Sequence, residues 1–175
     1  FDVGDAEAMP YQAGEFDLVV SLIGVMFAPR PDRATAELLR VCRPGGRIVL
    51  GNWTPDGFVG QFFKTVGKHV PPPAMPSPLL WGEEATVRER LGDGVADLRM
   101  TPGTIRFDYP MPPEEVVDHY IEHFGPTKRA HAALDAAGQE ALREDLLRLW
   151  SGSNFGEAGT TRVDAEILEV VAVRA

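Results

Sequence analysis

The first dense apolar stretch is Phe16-Asp17-Leu18-Val19-Val20-Ser21-Leu22, a near-continuous run bounded by Gly14 and Gly24. It predicts a strand buried on both faces, as in a parallel sheet. From Asp32 to Cys42 the period becomes helical. Ala36, Leu39 and the set Leu38, Val41 and Cys42 fall on one side of a helix, with Asp32 placed to cap its start. Pro44-Gly45-Gly46 stops that helix, and Arg47-Ile48-Val49-Leu50 returns at once to a strand pattern. Strand, helix, tight turn and strand make a βαβ unit, whose crossover is right-handed as a rule.

Further on, Asp56 to Val70 reads as a helix, with Phe58, Phe62, Phe63 and Val66 at helical spacing. The proline-rich VPPPAMPSP segment must be an extended connector, because proline lacks the amide donor that either regular element needs. Glu83 to Leu91 reads as a short charged helix ending at Gly92. Val95 to Tyr109 reads as two strands, or one strand bent at Pro102-Gly103. Helices are expected over Pro112–Phe124 and Thr127–Trp150, the second with Leu142, Leu146 and Leu149 on one stripe and a break at Gly138. The polar loop Gly152–Gly159 leads to a closing strand in AEILEVVAVRA. The expected class is therefore α/β, with parallel strands early and an antiparallel finish.

Charge narrows the range of partners. Seventeen Lys and Arg against 26 Asp and Glu leave a net charge of −9. That balance opposes nucleic acid, whose binding rests on cations neutralising phosphates, and equally an anionic membrane surface. Cys42 is the single cysteine, so no internal disulfide is available, and its place on an apolar helical face marks it as a small core residue. No cleavable leader and no apolar run of about 18 residues is apparent, so a soluble cytoplasmic protein is expected.

In open α/β sheets ligands bind beyond the carboxyl ends of strands. Three segments stand at such ends: Gly4–Met9, Ser21–Phe27 and Gly51–Trp53. Asp5 can cap its own short turn. It can also, together with the amide of Ala6, match the donor–acceptor edge of adenine. Spacing favours the second use. Gly4-Asp5-Ala6-Glu7-Ala8-Met9-Pro10, then Phe16-Asp17 with Val19 and Ser21, then a helix ending in Arg43-Pro44-Gly45-Gly46, resembles the class I S-adenosylmethionine-dependent methyltransferases. The likeness is strongest to the type 11 branch that includes the quinone-biosynthesis C-methyltransferases. It covers about the first third of the chain, and beyond Trp53 it is one of layout.

The resemblance implies a fold made of the C-terminal two thirds of a Rossmann-like methyltransferase sheet, with helices on both faces. Residues 1–175 would form a single truncated domain, and 54–92 and 110–152 would be helical insertions capping the substrate. The upstream glycine-rich turn and the acidic ribose ligand have no counterpart here. The implied cofactor is S-adenosylmethionine, with S-adenosylhomocysteine as product, held by Asp5, Ala6, Glu7, Ser21, Leu22 and Ile23. The substrate, a small-molecule methyl acceptor, would meet Met26, Phe27, Trp53, Phe58 and Trp81, with Phe62, Tyr109 and Tyr120 as further wall candidates.

Methyl transfer from a sulfonium needs alignment and exclusion of water, and a base only for a poorly ionised acceptor. His119, His123 and Tyr120 are the base candidates. The two histidines, one helical turn apart, read first as solvated surface. They supply too few ligands for zinc, so no metal is expected. The alternative is a non-catalytic remnant without cofactor, paired as a homodimer through the open edge of the Phe16–Leu22 strand. A dinucleotide-dependent oxidoreductase would need a glycine-rich turn after its first strand, and the Gly-Asp-Ala loop argues against it.

Overall fold

The computed structural model describes residues 2–175. Four strands alternate with helices: β1 (Phe16–Leu22), α1 (Pro31–Val41), β2 (Cys42–Trp53), α2 (Phe58–Gly67), α3 (Glu84–Leu91), β3 (Val95–Tyr109), α4 (Pro113–His123), α5 (Gly125–Ala132), α6 (Ala136–Ser153) and β4 (Thr161–Arg174). The sheet order is β1-β2-β4-β3. β1 and β2 are parallel, and β4 runs antiparallel to β2. Arg106 pairs with Asp164 and Asp108 with Arg162, so the index on β3 rises as that on β4 falls. β3 is thus antiparallel to β4 and parallel to β1 and β2, which leaves β4 as the one reversed strand. That is the α/β arrangement expected from the sequence.

The chain divides into two compact units. The first holds residues 1–55, 74–103 and 166–175; the second holds 56–73 and 104–165. The segment 110–152 falls wholly in the second unit, whereas 54–92 is shared, with 56–73 in the second and 74–92 in the first.

In the first unit one face of the sheet is the core. Ile48, Leu50 and Asn52 on β2 and Leu168, Val170 and Ala172 on β4 are all enclosed, under α1 with its buried Leu38 and Val41. The opposite face of β1 is open: Leu18 and Val20 are 52 % exposed and Leu22 67 %. The expectation of a strand buried on both faces fails here, because β1 has one strand neighbour and its second face is not covered by described residues. Burial along β4 changes phase near Glu166. Thr161, Val163 and Ala165 are enclosed before it, and Leu168, Val170 and Ala172 after it.

Several boundaries shift for local reasons. Pro31 takes the first position of α1 and Arg30 the cap, leaving Asp32 in the first turn, where a carboxylate complements the positive helix end. α1 stops at Val41, and Pro44-Gly45-Gly46 forms a bulge inside β2: Phe16 pairs with Cys42 but Leu18 with Arg47. Gly45 adopts φ +72° there, and a Cβ on Gly46 would lie 2.8 Å from Cys42 Sγ. Val95–Tyr109 is one continuous strand. The long C-terminal helix breaks ahead of Gly138, because Asp135 caps α6 by accepting the Gly138 N–H at 2.9 Å.

The second unit packs α2, α4, α5 and α6 around an aromatic core. Phe58, Phe107, Tyr109 and Tyr120 surround Trp150 with ring centroids 4.6–6.3 Å away. His69 bonds Asp145 at 2.8 Å, joining the segment after α2 to α6. No helix among the described residues is long and apolar enough to cross a membrane.

Candidate functional site

A groove of about 390 Å³ runs along the free edge of β1. Its lining includes Ala6 and Met9 from the acidic loop, Val19 and Ser21 from the strand, and Leu38 and Val41 from α1. The Gly-Asp-Ala loop and the end of β1 therefore meet at one place, as the sequence pattern requires.

The loop is held from three directions. Asp5 folds back, its Oδ1 accepting the Glu7 N–H at 2.9 Å, while the Asp5 carbonyl accepts from Ala8 at 3.0 Å. The carboxylate of Glu7 turns inward and takes both the backbone N–H of Arg30, at 2.6 Å, and its guanidinium. Glu37 on α1 accepts the Met9 N–H at 2.6 Å, and Arg40 donates to the carbonyls of Met9 and Tyr11. The Arg40 guanidinium beside Glu37 holds that carboxyl below its ordinary value, so it stays an acceptor at neutral pH.

Asp5 and Ala6 are left exposed at the tip of this tied loop. One Asp5 oxygen is committed to the turn. Oδ2 and the Ala6 N–H have no hydrogen-bond partner among the described residues. Asp5 thus caps its turn through one oxygen and leaves the other exposed. A carboxylate oxygen beside a free amide fits the amino group and ring nitrogen of adenine. Glu7 differs. With a side chain 2 % exposed and both oxygens engaged by Arg30, it serves as the loop's anchor.

At the end of β1 the chain turns sharply. Ser21 Oγ accepts the Val25 N–H at 2.8 Å, and Ile23 donates its N–H to the Gly51 carbonyl at 2.8 Å. Ile23 stands at φ +53°. That conformation is a strained outlier for a β-branched residue, and such outliers concentrate where ligands bind. Leu22 points to the open side of the sheet, over Gly51.

The expected acceptor contacts separate. Met26 and Trp81 are 1 % exposed and Trp53 9 %, all in the first unit, so they are packed interior rather than open wall. Phe27 is 39 % exposed. Phe58 lies in the second unit against Trp150, with Phe62, Tyr109 and Tyr120 nearby in the same aromatic core.

Of the base candidates, Tyr120 shares a 3.0 Å bond with Tyr109, and burial pushes its hydroxyl far above the ordinary tyrosine value. It stays protonated at neutral pH. The rings of His119 and His123 lie 4.7 Å apart, tilted by 56°, on the exposed side of α4. No group of three metal-ligating side chains occurs among the described residues. Burial raises the Cys42 thiol, as befits a core residue. Sequence reasoning missed the His69–Asp145 pair, because its members are far apart in the chain and no local pattern links them.

A three-strand parallel arrangement with one reversed strand, and an acidic loop set at a strand's carboxyl end, define a Rossmann-like α/β class. Comparisons narrow it. Residues 1–50 match the family model described as a methyltransferase domain. Over those residues the chain resembles the class I S-adenosylmethionine-dependent methyltransferases. It is 42 % identical over 154 residues to uncharacterised proteins of Mycobacterium bovis and Mycobacterium tuberculosis, covering 81 % of this chain and 56 % of each relative. The chain thus spans a little over half the length of these relatives. A demethylmenaquinone methyltransferase of Renibacterium salmoninarum is 38 % identical over 58 residues, 33 % of this chain and 24 % of that protein. Among solved structures, a Bacillus halodurans protein assigned as a methyltransferase aligns at TM-score 0.53 and 16 % identity, covering 97 % of this chain and 75 % of that one. The [4+2]-cyclase SpnF aligns at TM-score 0.50 and 17 % identity, covering 100 % of this chain and 56 % of that one. Likeness at that level concerns the fold alone, and one fold can host different reactions.

Proposed function

We propose that this polypeptide binds S-adenosylmethionine and transfers its methyl group to a small, partly apolar acceptor. The observation that carries the reading is the pairing at the loop tip: an Asp5 oxygen and the Ala6 N–H, both without partners among the described residues, on the groove that also meets Ser21. Asp5 and Ala6 would hold the adenine edge. The turn Ser21-Leu22-Ile23 would set the methionine portion at the strand end.

When bound, the cofactor supplies an already activated methyl. The chain's own residues then have to orient and to keep water out. The network of Glu7, Arg30, Glu37 and Arg40 fixes the loop before any ligand arrives, so little ordering cost is left to binding. The quinone-type acceptor named for the Renibacterium relative is the chemical precedent for an aromatic substrate.

Calorimetric titration with S-adenosylhomocysteine tests the reading. The expected result is micromolar binding, weakened at least tenfold in Asp5→Ala, since a hydrogen bond to a charged group contributes about 1.5–3 kcal/mol. Heat-silent titration at millimolar ligand would sink it.

The exposed Leu18, Val20 and Leu22 favour a second reading, in which two copies pair through β1 and no cofactor is held. Sedimentation separates the two: that reading requires a dimer that Val20→Lys dissolves, together with no affinity for S-adenosylhomocysteine.

A further inference from the structure

Asn52 stands one residue before the end of β2, on the enclosed face shared with Ile48 and Leu50, and is 0 % exposed. Its register partner on β4 is Leu168, itself 3 % exposed. Neither Oδ1 nor Nδ2 of the carboxamide meets a hydrogen-bonding group among the described residues. A carboxamide brings one acceptor atom and two N–H donors, and native interiors leave such groups unpaired only rarely.

A second unpaired group belongs to the segment that packs against the end of β2. The indole N–H of Trp81, a residue 1 % exposed, also has no acceptor. Gly82 is pressed onto the main chain of Trp53 and Thr54 so tightly that a Cβ there would sit 2.1 Å from the Trp53 carbonyl oxygen. Trp81 and Asn52 are each one residue from that contact. The Arg90 guanidinium lies over the Trp81 ring, 4.5 Å from its centroid. It covers a face of the indole, whereas the N–H lies in the ring plane.

The unmet needs of the pair are one accepting oxygen and three N–H donors. An apolar group meets none of them, and a cation could use only Oδ1. A hydroxyl oxygen donates once and accepts twice, so it can engage both ends of the carboxamide, or one end and the indole. We propose that Asn52 and Trp81 form a hydroxyl-binding site at the carboxyl end of β2, filled by water or by the hydroxyl of an organic ligand. The proposal concerns a site on the first unit and does not depend on methyl transfer.

Crystals grown in plain buffer and crystals soaked in phenol test it and separate the two sources. The expected result in buffer is an ordered oxygen within about 2.7–3.2 Å of Asn52 Oδ1 or Nδ2. In the soaked crystals, phenol displacing that oxygen assigns the site to ligand hydroxyls, and an undisturbed oxygen assigns it to resident water. No oxygen at Asn52 in either crystal overturns the proposal. In solution, Asn52→Leu is expected to lower the melting temperature by several degrees, because the bound oxygen loses its main partner. A higher melting temperature would mean that the carboxamide was truly unpaired, and the site would fall. Should that variant not fold, the wild-type crystals still decide.

Discussion

Glu7 distinguishes an anchoring role from a ligand-binding one, and Glu7→Ala is the perturbation that separates them. Its side chain is 2 % exposed and accepts from the Arg30 amide at 2.6 Å and from the Arg30 guanidinium. The amide bond to a buried charge is lost outright, about 1.5–3 kcal/mol. The guanidinium is 53 % exposed and can turn to water, so its share is that of a surface pair, about 0.2–1 kcal/mol. Together they give about 2–4 kcal/mol, which for a chain of this length lowers the melting temperature by about 4–16 °C. Arg30→Ala keeps the amide bond and should cost less than about 1 kcal/mol. Thermal unfolding followed by circular dichroism at neutral pH measures all three proteins. Glu7→Ala melting within a degree of wild type would refute the anchor and return Glu7 to the ligand-facing set.

Three further outcomes are expected. Gly82→Ala should fail to fold or melt far below wild type, because its Cβ would lie 2.1 Å from a backbone oxygen that cannot retreat; a normal melting curve would contradict the close approach. Ile23→Gly should relieve the cost of φ +53°, about 1–2 kcal/mol, and offset it in part by the lost apolar side chain; its melting temperature should stay near wild type, while Ile23→Val should gain nothing. His69, then Arg148, holds the Asp145 carboxyl below its ordinary value. A depressed carboxyl stabilises fully above about pH 4 and loses that contribution as pH falls through its lowered value. Asp145→Asn should therefore flatten the acid limb of a stability–pH curve and leave its neutral-to-basic side parallel to wild type.

Much of the first unit could be read from the chain, because its elements follow strong local rules. The bounds of β1 were visible as an apolar run between glycines, and α1 as a helical stripe ended near Pro44-Gly45-Gly46. The exposure of Leu18, Val20 and Leu22 was not legible. A strand buried twice and a strand buried once on an apolar face share one pattern, and only the neighbours decide. The acidic loop was found by its spacing from β1, yet the difference between Asp5 and Glu7 depends on Arg30, 23 residues further on. Met26, Trp53 and Trp81 read in the sequence as aromatic or soft contacts but are enclosed, which is the commoner use of such side chains. Asn52 lies in the strand-end segment Gly51–Trp53, but its enclosure is not legible there, since a single polar residue at a strand's end looks solvated until its burial is known.

The most direct measurement of the central claim is the amide spectrum of ¹⁵N-labelled protein during titration with S-adenosylhomocysteine. The Ala6 N–H, without a partner among the described residues, should move most, with Ser21 and Ile23 following, and Asp5→Ala should abolish the movement. Binding that shifts other amides while Ala6 stays fixed would show that the nucleoside is held elsewhere.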